Sequence, residues 1–156
     1  MAKNQRDYII SHGKHLLEYG SGGSSLYFCK HLEKVTSIEH SRKWYTQIAE
    51  QSPDNHEYLL FERDRRYRDL LDGKCGEESP VGLKDYLGYV TTPDMILVDG
   101  VARGVCLMLC RLRYPGIPIF LHDANRDWYD FAVDHFDHKE VIEPDEGDYP
   151  PLLLKL

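Results

Sequence analysis

Apolar residues fall in two rhythms along this chain, short continuous runs and helical spacings, and the two alternate. Residues 4 to 12 predict a short helix ended by Gly13, with Tyr8, Ile9 and Ile10 on its apolar side. Leu16 and Leu17 begin a first strand that runs into Glu18-Tyr19 and then Gly20-Ser21-Gly22-Gly23, which reads as strand, tight loop and helix start. Ser24 or Ser25 can cap that helix, along which Leu26, Cys29 and Leu32 recur. Val35 to Glu39 is β-branched and predicts a second strand. Ser41 caps a helix to about Gln51, with Trp44, Tyr45 and Ile48 facing inward and Ser52-Pro53-Asp54 stopping it. Tyr58 to Phe61 predicts a third strand, and Met95 to Gly100 a fourth, continuous and apolar as when both sheet faces are covered. Val101, Val105, Met108 or Leu109, and Leu112 mark the following helix, broken at Tyr114-Pro115-Gly116. Ile117 to Leu121 is the fifth strand and ends at His122-Asp123. Trp128, Phe131, Ala132 and His135 suggest a last helix, and Glu140–Ile142 and Leu152–Leu154 two last strands. The link between those two is short and lacks a helical pattern, so they should be antiparallel.

Strands alternating with helices predict an α/β sheet covered on both sides. With 156 residues, the expectation is one domain spanning 1–156. Residues 62–92 carry many charges and several Gly and Pro, and predict at most one helix, around Leu83 to Tyr86. A stretch this long without a pattern is the natural candidate for a lid.

The formal charge of −7 argues against a general nucleic-acid binder, which needs a basic surface. The cluster Arg63, Arg65, Arg66 and Arg68 reads as a solvated face. Cysteines 29, 75, 106 and 110 lack zinc spacing and read as buried thiols. No apolar run approaches the roughly 20 residues that span a bilayer, and no secretory signal is visible. A cytoplasmic protein without membrane contact is the expectation; oligomeric state is left open.

Candidate chemistry begins at the glycine loop. Glycines there let the backbone bend and let a ligand approach it, and the helix start presents free N–H groups. Glu39 closes the second strand 19 positions after Gly20, a spacing that suits an acid holding the two hydroxyls of an adenosine ribose. Glu18 then narrows the ligand. A pyrophosphate would meet its carboxylate, whereas a cation would be attracted to it. Ser25 also stands where the dinucleotide fingerprint has its third glycine.

Leu17-Glu18-Tyr19-Gly20-Ser21-Gly22 resembles the first motif of class I S-adenosylmethionine-dependent methyltransferases. Ile38-Glu39-His40 resembles the acidic end of their second strand, and Leu97-Val98-Asp99-Gly100 their fourth-strand motif beside the methyl donor. The resemblance runs from about residue 13 to the end. It implies a three-layer Rossmann-like sheet in the order 3-2-1-4-5-7-6 with the seventh strand antiparallel. It also implies S-adenosylmethionine as cofactor. Glu18, Gly20, Ser21, Gly22 and Asp99 would line it, Glu39 would hold the ribose, and His40 would lie near the adenine, as Glu62 or Asp64 also could.

A second constellation sits at the ends of the fourth and fifth strands: Asp99, Gly100, Arg103, His122, Asp123, Asn125 and Arg126. Asp99, Asp123 and Asn125 resemble the divalent-metal site of catechol-type O-methyltransferases, implying a metal such as magnesium, although Ala124 interrupts the family's adjacent Asp-Asn. The other reading pairs Asp99 with Arg103 and uses Asp123 or Asn125 as a helix cap. Histidine changes charge near neutral pH, so His122 is a candidate general base beside Asp99. Arg103 and Arg126 are candidates to hold an anionic acceptor. His135 and His138, with Asp134 and Asp137, read as a solvated helix end.

The resulting expectation is an enzyme that moves a methyl group from S-adenosylmethionine to an oxygen or nitrogen of a small polar or anionic acceptor. Two alternatives stay open: a non-catalytic methyltransferase-like module serving a partner, and a nicotinamide-dinucleotide oxidoreductase on a similar sheet. A macromolecular acceptor is a further variant.

Overall fold

The computed structural model describes residues 1–64, 66, 78–145 and 152–156. The described elements are α1 (Lys3–Ile10), β1 (His15–Tyr19), α2 (Gly23–His31), β2 (Lys34–Glu39), α3 (Arg42–Ala49), β3 (His56–Leu60), α4 (Lys84–Gly88), β4 (Met95–Val98), α5 (Arg103–Arg113), β5 (Ile119–His122), a 3-10 turn at Asp127–Tyr129, α6 (Asp130–Val133), β6 (Glu140–Ile142) and β7 (Leu153–Lys155). Of residues 62–92, expected to form a lid, 65 and 67–77 lie outside the described residues, Cys75 among them.

The strands form one sheet in the order β3-β2-β1-β4-β5-β7-β6. β1 to β5 are parallel to their neighbours, and β7 is antiparallel to both β5 and β6. The sequence-predicted topology is the observed one.

Side chains alternate through the sheet, and each face owns a core. Leu16, Val35, Met95, Leu97 and Phe120 face Ile9 of α1 and Phe28 and Cys29 of α2. Leu17, Tyr19, Ile38, Ile96, Val98 and Leu121 face Tyr86 and Leu87 of α4 and Cys106, Leu107 and Cys110 of α5. The α5 face departs from expectation. Gly104, Cys106, Leu107 and Cys110 are buried, while Leu112 is 71% exposed. Cys106 and Cys110 are the buried thiols expected, and with Leu107 they carry the stripe that Val105, Met108 or Leu109, and Leu112 were expected to mark.

Three further expectations are corrected. Trp44 lies 49% exposed on α3 and only Ile48 there is buried. Trp128 and Phe131 are exposed, and Tyr129 and Ala132 are the buried pair. Gly22, not Ser24 or Ser25, is the N-cap of α2. Ser25 sits one turn in and its Oγ accepts the Gly22 N–H at 3.0 Å.

The carboxyl ends of the central strands are tied together by backbone bonds. Gly20 N donates to Ile38 O at 2.9 Å, Asp99 N to Tyr19 O at 2.8 Å, and Phe61 N to Glu39 O at 2.8 Å. The loops after β1, β2, β3 and β4 therefore leave the sheet side by side, which is the crevice where ligands bind in open α/β sheets.

Candidate cofactor and catalytic site

Glycine is required twice in this crevice. Gly20 has φ +93°, and a Cβ there would lie 2.6 Å from the Gly100 backbone. A Cβ on Gly100 would meet Gly20 Cα at 2.9 Å and the Tyr86 hydroxyl at 2.2 Å. The loops after β1 and β4 are packed backbone on backbone. By contrast, nothing lies within 4 Å of a Cβ placed on Gly22 or Gly23, so the far side of the loop is open.

Glu18 lies beneath the loop, 1% exposed, on the α2 side of the sheet. Its Oε2 lies 2.6 Å from the Ser25 hydroxyl and 2.6 Å from the Ser37 hydroxyl, and the ionised carboxyl accepts from both. Burial pushes its pKa up to about 8, outweighing both serine bonds, with Asp99 and Glu39 adding to the rise. Burial of this kind favours the neutral carboxyl while no ligand offsets its charge. Ser37 in turn meets His56 Nε2 at 2.9 Å, and burial lowers the His56 pKa to about 4.

These two shifts have opposite signs in stability. A carboxyl whose pKa rises on folding makes the folded state hold the extra proton, so stability falls with pH from about 4.5 to about 8. A histidine whose pKa falls makes the unfolded state hold it, so stability rises from about 4 to about 6.5. The slopes oppose each other up to pH 6.5, and only the Glu18 slope continues above it. Stability should therefore fall by about 1.4 kcal/mol per pH unit between pH 6.5 and 8. Urea melts across that window should show the fall in the wild type and lose this component in Glu18→Gln; parallel curves would refute it.

Glu39 ends β2 at the rim and is 2% exposed. Oε1 accepts the backbone N–H groups of His40 at 2.8 Å and Ser41 at 2.7 Å. Oε2 accepts the Ser21 hydroxyl at 2.6 Å, and Ser21 Oγ also meets Tyr58 OH at 2.6 Å. Burial would raise the Glu39 pKa, but the bonds from His40, Ser21 and Ser41 win and lower it, so this acid is a fixed anion. The Ser21 hydroxyl occupies the kind of position a ribose hydroxyl would take. Glu18 below, open space over Gly22 and Gly23, and a fixed carboxylate at the rim suit a cationic nucleoside. His40 packs edge-on to Tyr86 with centroids 6.1 Å apart. Glu62 pairs with Arg42, and Asp64 with Arg66.

At the ends of β4 and β5, Asp99, His122 and Asp123 each place a ligating atom within 4.8 Å of the others. His122 Nδ1 lies 2.8 Å from Asp99 Oδ1 and 3.6 Å from Asp123 Oδ1. An Nδ1–H bonded to Asp99 leaves the lone pair of the neutral ring on Nε2, which is buried and has no hydrogen-bond partner among the described residues.

Arg103 closes this cluster from behind. Its side chain is 9% exposed. It donates from Nε to Gly100 O at 2.8 Å and from Nη1 to His122 O at 2.6 Å and Asp123 Oδ2 at 3.3 Å, and its Nη2 lies 3.4 Å from Asp99 Oδ1. The sequence reading offered Arg103 as an acceptor clamp; its donors are instead committed inside the fold. Arg126, 43% exposed at the side chain, holds Asp123 Oδ2 at 2.6 Å and keeps one edge toward solvent.

Of the expected metal set, Asp99 and Asp123 stand together with His122, and Asn125 is exposed. Each carboxylate already faces a guanidinium, Arg103 for both and Arg126 for Asp123. A dication would have to displace those cations, so the donor set does not suit one.

Sequence reasoning missed four contributors. Ser37 and His56 support Glu18; a serine inside a strand buried on both faces is the signal that a buried partner is waiting. Tyr86 lies wholly buried at the crevice floor with its hydroxyl unpartnered among the described residues. Glu78 accepts the Arg103 N–H at 3.0 Å and the Tyr129 hydroxyl at 3.3 Å, over the start of α5. A cavity of about 710 Å³ also opens at the opposite edge of the sheet, beside Tyr114, Ile117, Phe136 and Lys155, away from all of these groups.

No family model and no curated protein matches the sequence. Solved structures with a similar fold include a methyltransferase-like protein from Silicibacter pomeroyi DSS-3. It is 18% identical, with a TM-score of 0.69 over 100% of this chain and 86% of that one. Aeropyrum pernix fibrillarin, solved with natively bound S-adenosyl-L-methionine, is 12% identical, with a TM-score of 0.61 over 94% of this chain and 67% of that one. The tRNA (m1A58) methyltransferase TrmI of Aquifex aeolicus is 13% identical, with a TM-score of 0.62 over 96% and 66%. At these identities the likeness is one of fold, and that fold is the Rossmann-like methyltransferase sheet. Among the described residues no helix is long and apolar enough to cross a membrane.

Proposed function

We propose that this protein is an S-adenosylmethionine-dependent methyltransferase that methylates an oxygen or nitrogen bearing a removable proton. The observation that carries the reading is the pairing of two acids around one glycine loop. Glu39 is a fixed anion already accepting one hydroxyl at the rim, and Glu18 is a buried carboxyl able to gain charge beneath it. The bound cofactor supplies an electrophilic methyl group on a sulfonium sulfur. The chain's own part is to hold the ribose at Glu39, balance the positive charge with Glu18, and present the acceptor to His122. His122 Nε2 takes the acceptor's proton as the new bond forms, and Asp99 steadies the imidazolium through Nδ1. Arg126 at the open edge suits a polar or anionic acceptor. The net charge of −7 supports a small one over a long phosphate backbone, although some fold neighbours act on RNA by name.

Glu39→Gln keeps an acceptor for the His40 and Ser41 N–H groups but loses the charge. Calorimetry should show about 10- to 100-fold weaker S-adenosylmethionine binding by a protein that still folds, with a lowered melting temperature, since a bond to a charged group contributes about 1.5–3 kcal/mol. Unaltered affinity would remove Glu39 from the site. Turnover by the wild type against a panel of phenols, carboxylates, amines and tRNA separates an enzyme from a binding module.

A further inference from the structure

The proposed site leaves one buried titratable group without a task. His56 opens β3 at 8% exposure, and a line of hydrogen bonds joins it to Glu18. His56 Nδ1 meets Ser52 Oγ at 2.9 Å, and Ser52 Oγ also donates to Ile48 O at 3.2 Å. A hydroxyl has one hydrogen. With that hydrogen on Ile48 O, Ser52 accepts from Nδ1–H, and the lone pair of the neutral ring is on Nε2. That nitrogen faces Ser37 Oγ at 2.9 Å, and Ser37 Oγ lies 2.6 Å from Glu18 Oε2.

We propose that His56 is a positioning residue for Glu18, taking up through the Ser37 hydroxyl the proton that Glu18 gives up when a cation settles on the glycine loop. The inference rests on the cofactor reading above. Before binding, protonated Glu18 donates to Ser37 and Ser37 donates to Nε2. On binding, the Glu18 O–H bond breaks as a new Ser37 O–H bond forms. The original Ser37 O–H bond breaks as the Nε2–H bond forms. One proton moves, no electrons are gained or lost, and the products are the Glu18 carboxylate and the His56 imidazolium.

The surroundings support both end states. Burial holds Glu18 and His56 neutral while the loop is empty, and Asp99 and Glu39 oppose ionisation of Glu18 until a cation offsets them. Around His56 stand Ser52 after α3, Ser37 on β2, and the Tyr58 ring, stacked at 4.8 Å and 14°. Tyr58 is held protonated by its own burial, so it neither donates nor takes the proton. Glu18 and Ser37 are sealed from solvent, which makes an internal acceptor the short route.

The test combines calorimetry of S-adenosylmethionine binding, in buffers of different ionisation heat, with nitrogen NMR of the His56 ring. The wild type should bind with about zero net proton release and an affinity that stays flat from pH 6 to 7.5, and His56 should become imidazolium on binding. Ser37→Ala and His56→Gln should each release about one proton, with affinity rising about tenfold per pH unit in that range. A wild type that releases a full proton, or whose His56 stays neutral with ligand bound, overturns the relay and leaves the cofactor reading standing. No binding by the wild type at any pH overturns both. If both variants fail to fold, the wild-type ring signal alone decides.

Discussion

Gly20→Ala should cost about 2–5 kcal/mol of folding stability and abolish S-adenosylmethionine binding. Two costs add. An L-residue at φ +93° carries left-handed strain of about 1–2 kcal/mol. The new methyl would also sit 2.6 Å from the Gly100 N and Cα, and a forced fit in a packed interior costs about 1–3 kcal/mol. The obstructing atoms are backbone in a loop pinned by the Asp99 N–H to Tyr19 O bond, so nothing flexible can yield. Gly22→Ala is the matched control. Gly22 has extended backbone and open space around its Cβ position, so stability should change by less than about 0.5 kcal/mol. Its methyl would still project where the cofactor is expected to lie, so affinity should fall. Urea melts and calorimetry on the pair separate fold from binding. A Gly20→Ala protein as stable as the wild type would mean that the two loops are not locked together.

His122→Asn should lower kcat by about 100- to 10,000-fold while leaving the cofactor Kd within about threefold, the range for loss of a general base. Asparagine keeps an N–H at the Nδ1 position for Asp99 and removes only the Nε2 lone pair, so the cluster with Arg103 survives. A drop in kcat with an unchanged melting temperature assigns His122 to proton removal. A rise in KM alone would make it a wall of the acceptor pocket.

The architecture was legible because most of it is periodicity. Continuous apolar strands with helical spacings between them point to a parallel sheet and the short last link to an antiparallel pair, while the strand order came from the family resemblance. What went wrong was face assignment on short helices. Trp44, Trp128 and Phe131 look like core residues by hydropathy, yet α3, the 3-10 turn and α6 are short and peripheral, and Ile48, Tyr129 and Ala132 are the residues they bury. The site was half legible. Glu18, Gly20 and Glu39 are local to strand ends and betray themselves by spacing. The Ser25–Glu18–Ser37–His56 line is assembled across three strands and a helix, and no single window of sequence contains it. The metal reading met the same limit: spacing shows carboxylates, but not the Arg103 and Arg126 guanidinium groups that already face them.

A crystal structure grown with S-adenosylmethionine is the most direct test of what the glycine loop is for. The expected map places the ribose hydroxyls on Glu39 with the Ser21 hydroxyl displaced, the positive end of the ligand over Glu18, and the methyl group on the His122 side of the crevice. An empty loop at saturating ligand, or a phosphate bound at the start of α2 in its place, would contradict the assignment.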